Sequence, residues 1–382
     1  MVSCLSALFL TIAAVLARPP VVTASPLVIT RRGQTGSQLG DIVDLTNPDP
    51  IPAVAASGAY PLTTSAEPIP LSAELRDLIT TKTTKYAGAA YCPSIYRGEW
   101  KCGPYCDANP DFNVTAWGGD GNIQQRYYVG WNPTTKEIVA TRQGADFREL
   151  VTFLYVLNFL PARLHPDLAR TLSRVSGPRS ASYVPVGFLG TLATLLPSGQ
   201  SEVNYAVVNA GSQAAWAADY AAIKAAVQDQ LDAHPDTHGL FISGHSMGAA
   251  MAVLDGIALR GLVPKSISVQ IGVTGQPRIG NPVFAALVDA LGQDASQKFD
   301  YHRVSNFNDP FVHLFPMFLG YQHSVGEMWM PQANSTADSP ALFCVGRENI
   351  HCADGIKGSD LDYHAHIGPY LGIYVRPEGC TD

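Results

Sequence analysis

The sequence predicts an α/β protein, a mostly parallel central sheet with helices on both faces. Apolar runs of strand length alternate with stretches of helical periodicity through the second half of the chain, the pattern of strands joined by crossover helices. Residues 240–250, LFISGHSMGAA, read as strand, sharp turn and helix: apolar Leu240, Phe241 and Ile242 come first, and a helix-prone Ala/Met/Leu run follows. The chain has 382 residues and 46% hydrophobic content, ample for a packed core.

Leu5 to Leu16 form an apolar stretch too short to span a bilayer, with small-residue cleavage sites at Val15-Leu16-Ala17 or Val22-Thr23-Ala24, so residues 1–24 read as a secretory signal. Residues 25–70 are rich in Pro, Ser, Thr and Ala with little apolar period. They read as a flexible pro-segment or linker, with the dibasic pair Arg31-Arg32 as a processing site. Order is expected from Leu71, in a domain spanning residues 71–382. Leu75, Leu78 and Ile79 follow Ser72 at helical spacing and predict a helix continuing toward Tyr91. Residues 92–111 carry three cysteines and several Pro and Gly, and read as a stapled loop. Residues 125–129 and 137–141 are β-rich and predict a hairpin turning at Gly130-Trp-Asn-Pro133. The most apolar internal run, residues 151–160, fits a core segment or a lid. Residues 168–182 show no regular pattern.

Trp216, Tyr220, Ile223, Val227 and Leu231 recur every three or four residues as one apolar helical face ending before His234-Pro235. After the 240–250 stretch, Ile267, Val269, Ile271 and Val273 alternate as a strand. A helix is expected from Pro282 to Leu291 and a further strand from Tyr301 to Ser305.

Gly244-His-Ser-Met-Gly248 fits G-x-S-x-G. A serine at such a turn is forced into a strained conformation that exposes its Oγ, while the glycines let strand and helix approach. Ser246 is therefore the candidate nucleophile. It needs a histidine to accept its proton, a carboxylate to orient that imidazole, and donors for the oxyanion. Asp309 directly follows a predicted strand, the place for the acid. Five histidines come later: His313, His323, His351, His364 and His366. His313 stands too close to the acid, and His351 lies between Cys344 and Cys352.

A net charge of −7 and the lack of any basic run exclude a nucleic-acid surface. No segment after the leader is long and apolar enough to be a transmembrane helix. Seven cysteines become six once Cys4 leaves with the signal, an even number that reads as three disulfides in an exported chain. There is no C-x-x-C pair, and His351-Cys352 lacks a second ligand cluster at zinc spacing, so neither a metal nor a cofactor is expected. Asn113-Val-Thr115 and Asn334-Ser-Thr336 are glycosylation sequons.

Four segments in order resemble the class 3 lipases of fungi: GHSMGAA at the turn, Thr274-Gly-Gln-Pro-Arg-Ile-Gly-Asn281, Asn308-Asp-Pro-Phe-Val-His-Leu-Phe-Pro316, and Gly320-Tyr-Gln-His-Ser-Val-Gly-Glu-Met-Trp329. The resemblance runs from about Leu71 to the C-terminus and implies an α/β-hydrolase fold with Ser246 as nucleophile and Asp309 as acid. His323 falls in a segment that looks structural in the family. The family's base lies near the C-terminus just before an aromatic-containing helix, which selects His366, with His364 as the alternative. Met247 and Ala145 would supply the oxyanion N–H groups. The resemblance also implies disulfides Cys92–Cys380, Cys102–Cys106 and Cys344–Cys352. Two positions depart from the family pattern: Gly144-Ala145 stands where relatives carry Gly-Thr or Gly-Ser, and Val184-Pro-Val-Gly-Phe188 where they carry Val-His-x-Gly-Phe.

The expectation is a secreted, extracellular carboxylic ester hydrolase, a triacylglycerol lipase acting on acylglycerols at a lipid–water interface. The alternatives are a feruloyl or other carbohydrate-ester esterase, and a weakly active lipase-like protein that binds apolar ligands.

Overall fold

The structure, a computed structural model, describes residues 63–145, 155, 158–175 and 206–381, all within the compact unit Ile42–Asp382. The expected signal, the Arg31-Arg32 site, most of the apolar run 151–160 and the Val184–Phe188 segment lie outside the described residues.

The main sheet has nine strands in the order β1-β11-β10-β9-β8-β7-β4-β3-β2. In chain order they are β1 (Ile69–Pro70), β2 (Asn113–Gly118), β3 (Tyr127–Asn132), β4 (Glu137–Arg142), β7 (Gly239–His245), β8 (Ser268–Thr274), β9 (Phe299–Asn306), β10 (Glu327–Met330) and β11 (Leu342–Cys344). Strands β5 (Pro161–Arg163) and β6 (Val207–Asn209) form a separate antiparallel pair. The five central strands β4, β7, β8, β9 and β10 are parallel, and both flanks close with antiparallel pairs.

Side-chain alternation along each strand decides which layer it meets. Leu240 and Ile242 of β7 join Val269, Ile271 and Val273 of β8 on one face, under α3 (Pro166–Leu172), α4 (Ala210–Ala217), α5 (Tyr220–Ala233), α6 (Met247–Arg260) and α7 (Pro282–Gln293). Phe241, between them, points to the other face with Tyr128 and Val139, against Leu78, Tyr86 and Ala89 of the N-terminal helix. The chain has the α/β-hydrolase fold.

The N-terminal helix starts where Ser72 accepts from the Leu75 N–H. It runs as α1 (Ala73–Asp77), a π-helical stretch (Leu78–Thr83) and α2 (Thr84–Ala89). Thr80 and Thr81 donate back to the Arg76 and Asp77 carbonyls within this widened stretch. Asn281 caps α7 by accepting from the Phe284 N–H, which gives the TGQPRIGN segment its last residue. Arg278 of the same segment forms a two-pronged pair with Glu348 at 2.9 and 2.8 Å.

Several expectations are corrected. The hairpin forms, but Gly130, Trp131 and Asn132 are paired strand residues and the turn falls at Pro133–Lys136. Asn132 accepts from the Thr134 and Thr135 N–H groups and so makes the turn one step later. The single apolar helix is two, α4 and α5, broken at Asp219, whose carboxylate is drawn into a buried ion cluster. Regular structure precedes Leu71, since Ile69–Pro70 pairs with Leu342–Phe343 and Thr64 binds the Glu348 and Ile350 backbone. The patternless 168–182 stretch begins with α3, capped by His165.

The structure contains the disulfides Cys92–Cys380, Cys102–Cys106 and Cys344–Cys352. The first ties residues 288 positions apart in sequence.

Candidate active site

At the carboxyl end of β7 the chain turns through Ser246 with φ 61° and ψ −131°, a region that L side chains avoid and that stores strain where structure enforces it. The enforcement is packing on both sides. A Cβ on Gly244 would lie 2.5 Å from the Gly248 carbonyl, and one on Gly248 would lie 2.4 Å from the Gln143 carbonyl. Strand, turn and helix can meet only with glycine at both places. Ser246 N–H donates to the Thr274 carbonyl at 3.0 Å, pinning the turn to β8.

Asp309 follows β9 and is buried. Its Oδ1 accepts from the Phe311 N–H at 2.7 Å, and its Oδ2 faces His366 Nδ1 at 2.9 Å. A carboxylate there requires Nδ1 to carry the hydrogen, which leaves Nε2 with a lone pair. That Nε2 is buried and has no partner among the described residues. His366 is held through its own backbone as well: its carbonyl accepts from Tyr370 Oη at 2.7 Å, and Asn306 Nδ2 donates to the preceding Ala365 carbonyl at 2.8 Å. Phe311 stacks on the imidazole with centroids 4.0 Å apart.

The other histidines are elsewhere. His364 is exposed, two residues away. His313 is half-buried and His323 buried, and burial holds His323 well below the ordinary imidazole range. His351 is near Glu67 at 3.8 Å.

His245, inside the pentapeptide, joins the two halves of the site. Its Nε2 lies 2.9 Å from the His366 carbonyl and must donate, so Nδ1 accepts from Tyr91 Oη at 2.6 Å. Tyr91 Oη in turn accepts from the Gly144 N–H at 3.2 Å. Burial first, and the neighbouring His366 ring second, keep His245 well below its ordinary pKa and hence neutral. Ala145 is half-buried at the end of this turn, packed against the core. A Cβ on Gly144 would lie 2.9 Å from Ser246 Cβ, which shows how closely the turn covers the serine. Met247 is the first residue of α6, so its N–H has no partner within the helix.

A cavity of about 10 Å³ adjoins Ser246, lined by Ser212, Met247, Pro277, Phe311, Leu314 and Phe315. A larger cleft of about 360 Å³, lined by Leu240, Val269, Lys298 and Phe299, lies at the opposite, amino-terminal end of the parallel strands and away from this chemistry.

Sequence reasoning missed Tyr91, which carries no pattern of its own. It also missed Ser212. This serine lies in Val208-Asn-Ala-Gly211-Ser212 and lines the cavity beside Ser246. Among the described residues, the one grouping of His, Cys, Asp and Glu with donor atoms close enough to share an ion is Glu327 with Cys344 and Cys352. Both sulfurs there are committed to a disulfide.

The Lipase (class 3) family model matches residues 190–319, which include Ser246 and Asp309. The chain is 29% identical over 270 residues to a lipase of Rhizopus niveus, covering 66% of this chain and 54% of that protein. It is 33% identical over 163 residues to the secreted mono- and diacylglycerol lipase 1 of Fusarium solani, covering 42% and 45%. It thus spans about half the length of these curated relatives. The solved lipase of Rhizopus microsporus var. chinensis superposes with a TM-score of 0.60 at 22% identity, covering 90% of this chain and 100% of that one, a likeness of fold. With the four ordered motifs on that fold, the chain is similar to the class 3 lipases, most directly over residues 190–319.

Proposed function

We propose that the protein is a secreted carboxylic ester hydrolase, a triacylglycerol lipase, with Ser246 as nucleophile, His366 as base and Asp309 as its orienting acid. The observation that carries this is the Asp309–His366 pair beside the strained serine turn: Nδ1 is tied to the carboxylate and Nε2 is left bare. Ser246 Oγ attacks the ester carbonyl and gives its proton to His366 Nε2. Asp309 stabilises the imidazolium. The oxyanion takes the N–H groups of Met247 and Ala145. Collapse breaks the C–O bond to the alcohol, which leaves with the proton from His366. Water, deprotonated by the same Nε2, then releases the acid and restores Ser246.

The apolar lining from Met247, Pro277, Phe311, Leu314 and Phe315 favours an acyl chain over a sugar. Leu160 and Phe318 are exposed by 52% and 70% and adjoin the aromatic contact of Phe159 with Phe315, a surface suited to a lipid–water interface. The names of the relatives support acylglycerols as substrates and export as the destination. Asn113 and Asn334 are both exposed and suit glycan attachment.

The test is hydrolysis of short and long acylglycerols and of methyl ferulate by purified protein. Ser246→Ala and His366→Ala should lose activity by several orders of magnitude while remaining folded, and His364→Ala should stay within a fewfold of the parent. Undiminished hydrolysis by Ser246→Ala would end the assignment, and a preference for methyl ferulate would move the substrate class.

A further inference from the structure

Arg142, the last residue of β4, lies two residues before Gly144 in the covering turn and has no solvent exposure. Its Nε and Nη2 donate to Asp255 Oδ2 and Oδ1 at 2.5 and 3.1 Å, and its Nη1 donates to Asp219 Oδ1 at 2.5 Å. Asp255 also accepts from Trp216 Nε1 at 2.8 Å. The two carboxylates come from different elements. Asp255 belongs to α6, the helix that Ser246 begins, and Asp219 sits at the break between α4 and α5.

One guanidinium therefore joins three walls of the site: the turn after β4, the helix after Ser246, and α4, which contributes Ser212 to the cavity. Its planar fork suits the task, because two parallel N–H groups fix both distance and orientation on a carboxylate. The backbone meets α6 at a second point, where a Cβ on Gly248 would touch the Arg142 and Gln143 carbonyls at 2.6 and 2.4 Å. Two points of attachment along α6 fix the tilt of the turn as well as its distance.

The cluster holds two carboxylates against one cation. Removing charges from water is costly, and exchange of a buried ionic group for apolar side chains is often neutral or stabilising. Asp219 Oδ2 has no partner among the described residues. Stability alone gives little reason for such a cluster at the root of this turn.

We propose that Arg142 is a positioning residue for ester hydrolysis: through Asp255 and Asp219 it sets the turn 143–145 against Ser246 so that the Ala145 N–H meets the oxyanion. The arrangement matters more here because Ala145 has no hydroxyl to add, so the second donor is the backbone alone. This rests on the hydrolase reading above.

The experiment measures kcat and KM of the full chain on a soluble short-chain ester, with the thermal midpoint of each protein, well below the lowest midpoint. Ser246→Ala is included so that the two ideas fail separately: activity in that variant sinks the hydrolase reading whatever Arg142 does. Arg142→Lys keeps the charge and loses the fork. Its kcat should fall at least about tenfold, part of the roughly 10²–10³ that loss of an oxyanion donor brings, with KM within about twofold of the parent. A folded Arg142→Lys with kcat within about twofold of the parent overturns the proposal. If that variant does not fold, Asp219→Asn decides, since it leaves the Arg142–Asp255 fork intact and removes the excess charge. Its kcat should fall about threefold or more, and an unchanged kcat overturns the proposal. Asp289→Asn, in the buried pair with Arg347 away from the site, is the control for loss of stability. It should lower the midpoint and leave kcat alone, and an equal fall in kcat there would reduce Arg142 to a general structural role.

Discussion

At the scale of single residues, Asp309 holds His366 Nδ1 and leaves Nε2 bare beside the strained Ser246 turn, and Ala145 is where the proposed chemistry departs from the class 3 lipase pattern that the sequence resembles. Alanine keeps the backbone N–H and lacks the hydroxyl that Ser or Thr would bring. Ala145→Ser should therefore raise kcat on a good ester with little change in KM, because the added bond forms chiefly in the transition state. Its upper bound is the roughly 2.7–4 kcal/mol associated with one oxyanion donor. The measurement is steady-state kinetics on one soluble ester. No gain from Ser or Thr at this position, in a parent that is already a competent lipase, would mean that another group completes the hole. Ser212, beside Ser246 in the same cavity, is the first candidate.

Among elements, the decisive unit is the packing of β4, β7 and α6, where turn and helix meet without room for one extra carbon. Gly248→Ala would place a Cβ 2.4 Å from the Gln143 carbonyl, a backbone atom that cannot swing aside. The turn would have to lift from Ser246, so we expect esterase activity to fall by about two orders of magnitude, the scale of a lost oxyanion donor, with far-UV circular dichroism retained. Full activity in the alanine variant would show that the turn tolerates displacement. Sequence periodicity was informative at this scale where an element packs along its whole length, as in β8 and α7. It failed at Asp219, because Trp216 and Tyr220 keep helical spacing across the break. Their rings stack at 4.3 Å from two different helices.

For the whole molecule, ionisable groups drawn inward from solvent set the response to acid. His313 has a buried Nε2 without a partner among the described residues, and its carbonyl accepts from Arg278 Nη1 at 2.9 Å. Burial, followed by that guanidinium, pushes its pKa down to about 4. The sign follows from the ordinary value of about 6.5: below it the unfolded chain takes up a proton that the folded chain refuses. This contribution to stability is complete above about pH 6.5 and is lost as pH falls toward 4. A displacement of that size corresponds to roughly 3 kcal/mol. His313→Gln cannot titrate, so denaturant melts of parent and variant should show the parent losing about that much relative to the variant between pH 7 and pH 4. A difference independent of pH would refute it. Glu348 acts in the same direction, since Arg278 holds its carboxyl far below the usual range despite burial. Asp219, raised to about 6 chiefly by burial, opposes them by favouring the folded state as it protonates. A single-site comparison therefore reads His313 more cleanly than the total stability does.

The amino-acid sequence by itself determined the α/β class and the strand–serine–helix unit, and it put a carboxylate, Asp309, just past β9. Each of these is written in local pattern: period-2 alternation, glycines at fixed offsets around a serine, and a carboxylate just past a strand. Choosing His366 needed the family resemblance, because His364 has the same neighbours in sequence. Only the tertiary structure separates them, burying one imidazole against Asp309 and leaving the other in solvent. The same holds for Tyr91, Ser212 and the partners of Arg142. Their roles depend on residues 154, 34 and 113 positions away, reckoned to His245, Ser246 and Asp255 respectively, and no periodicity along one segment records which side chain will meet it across the sheet.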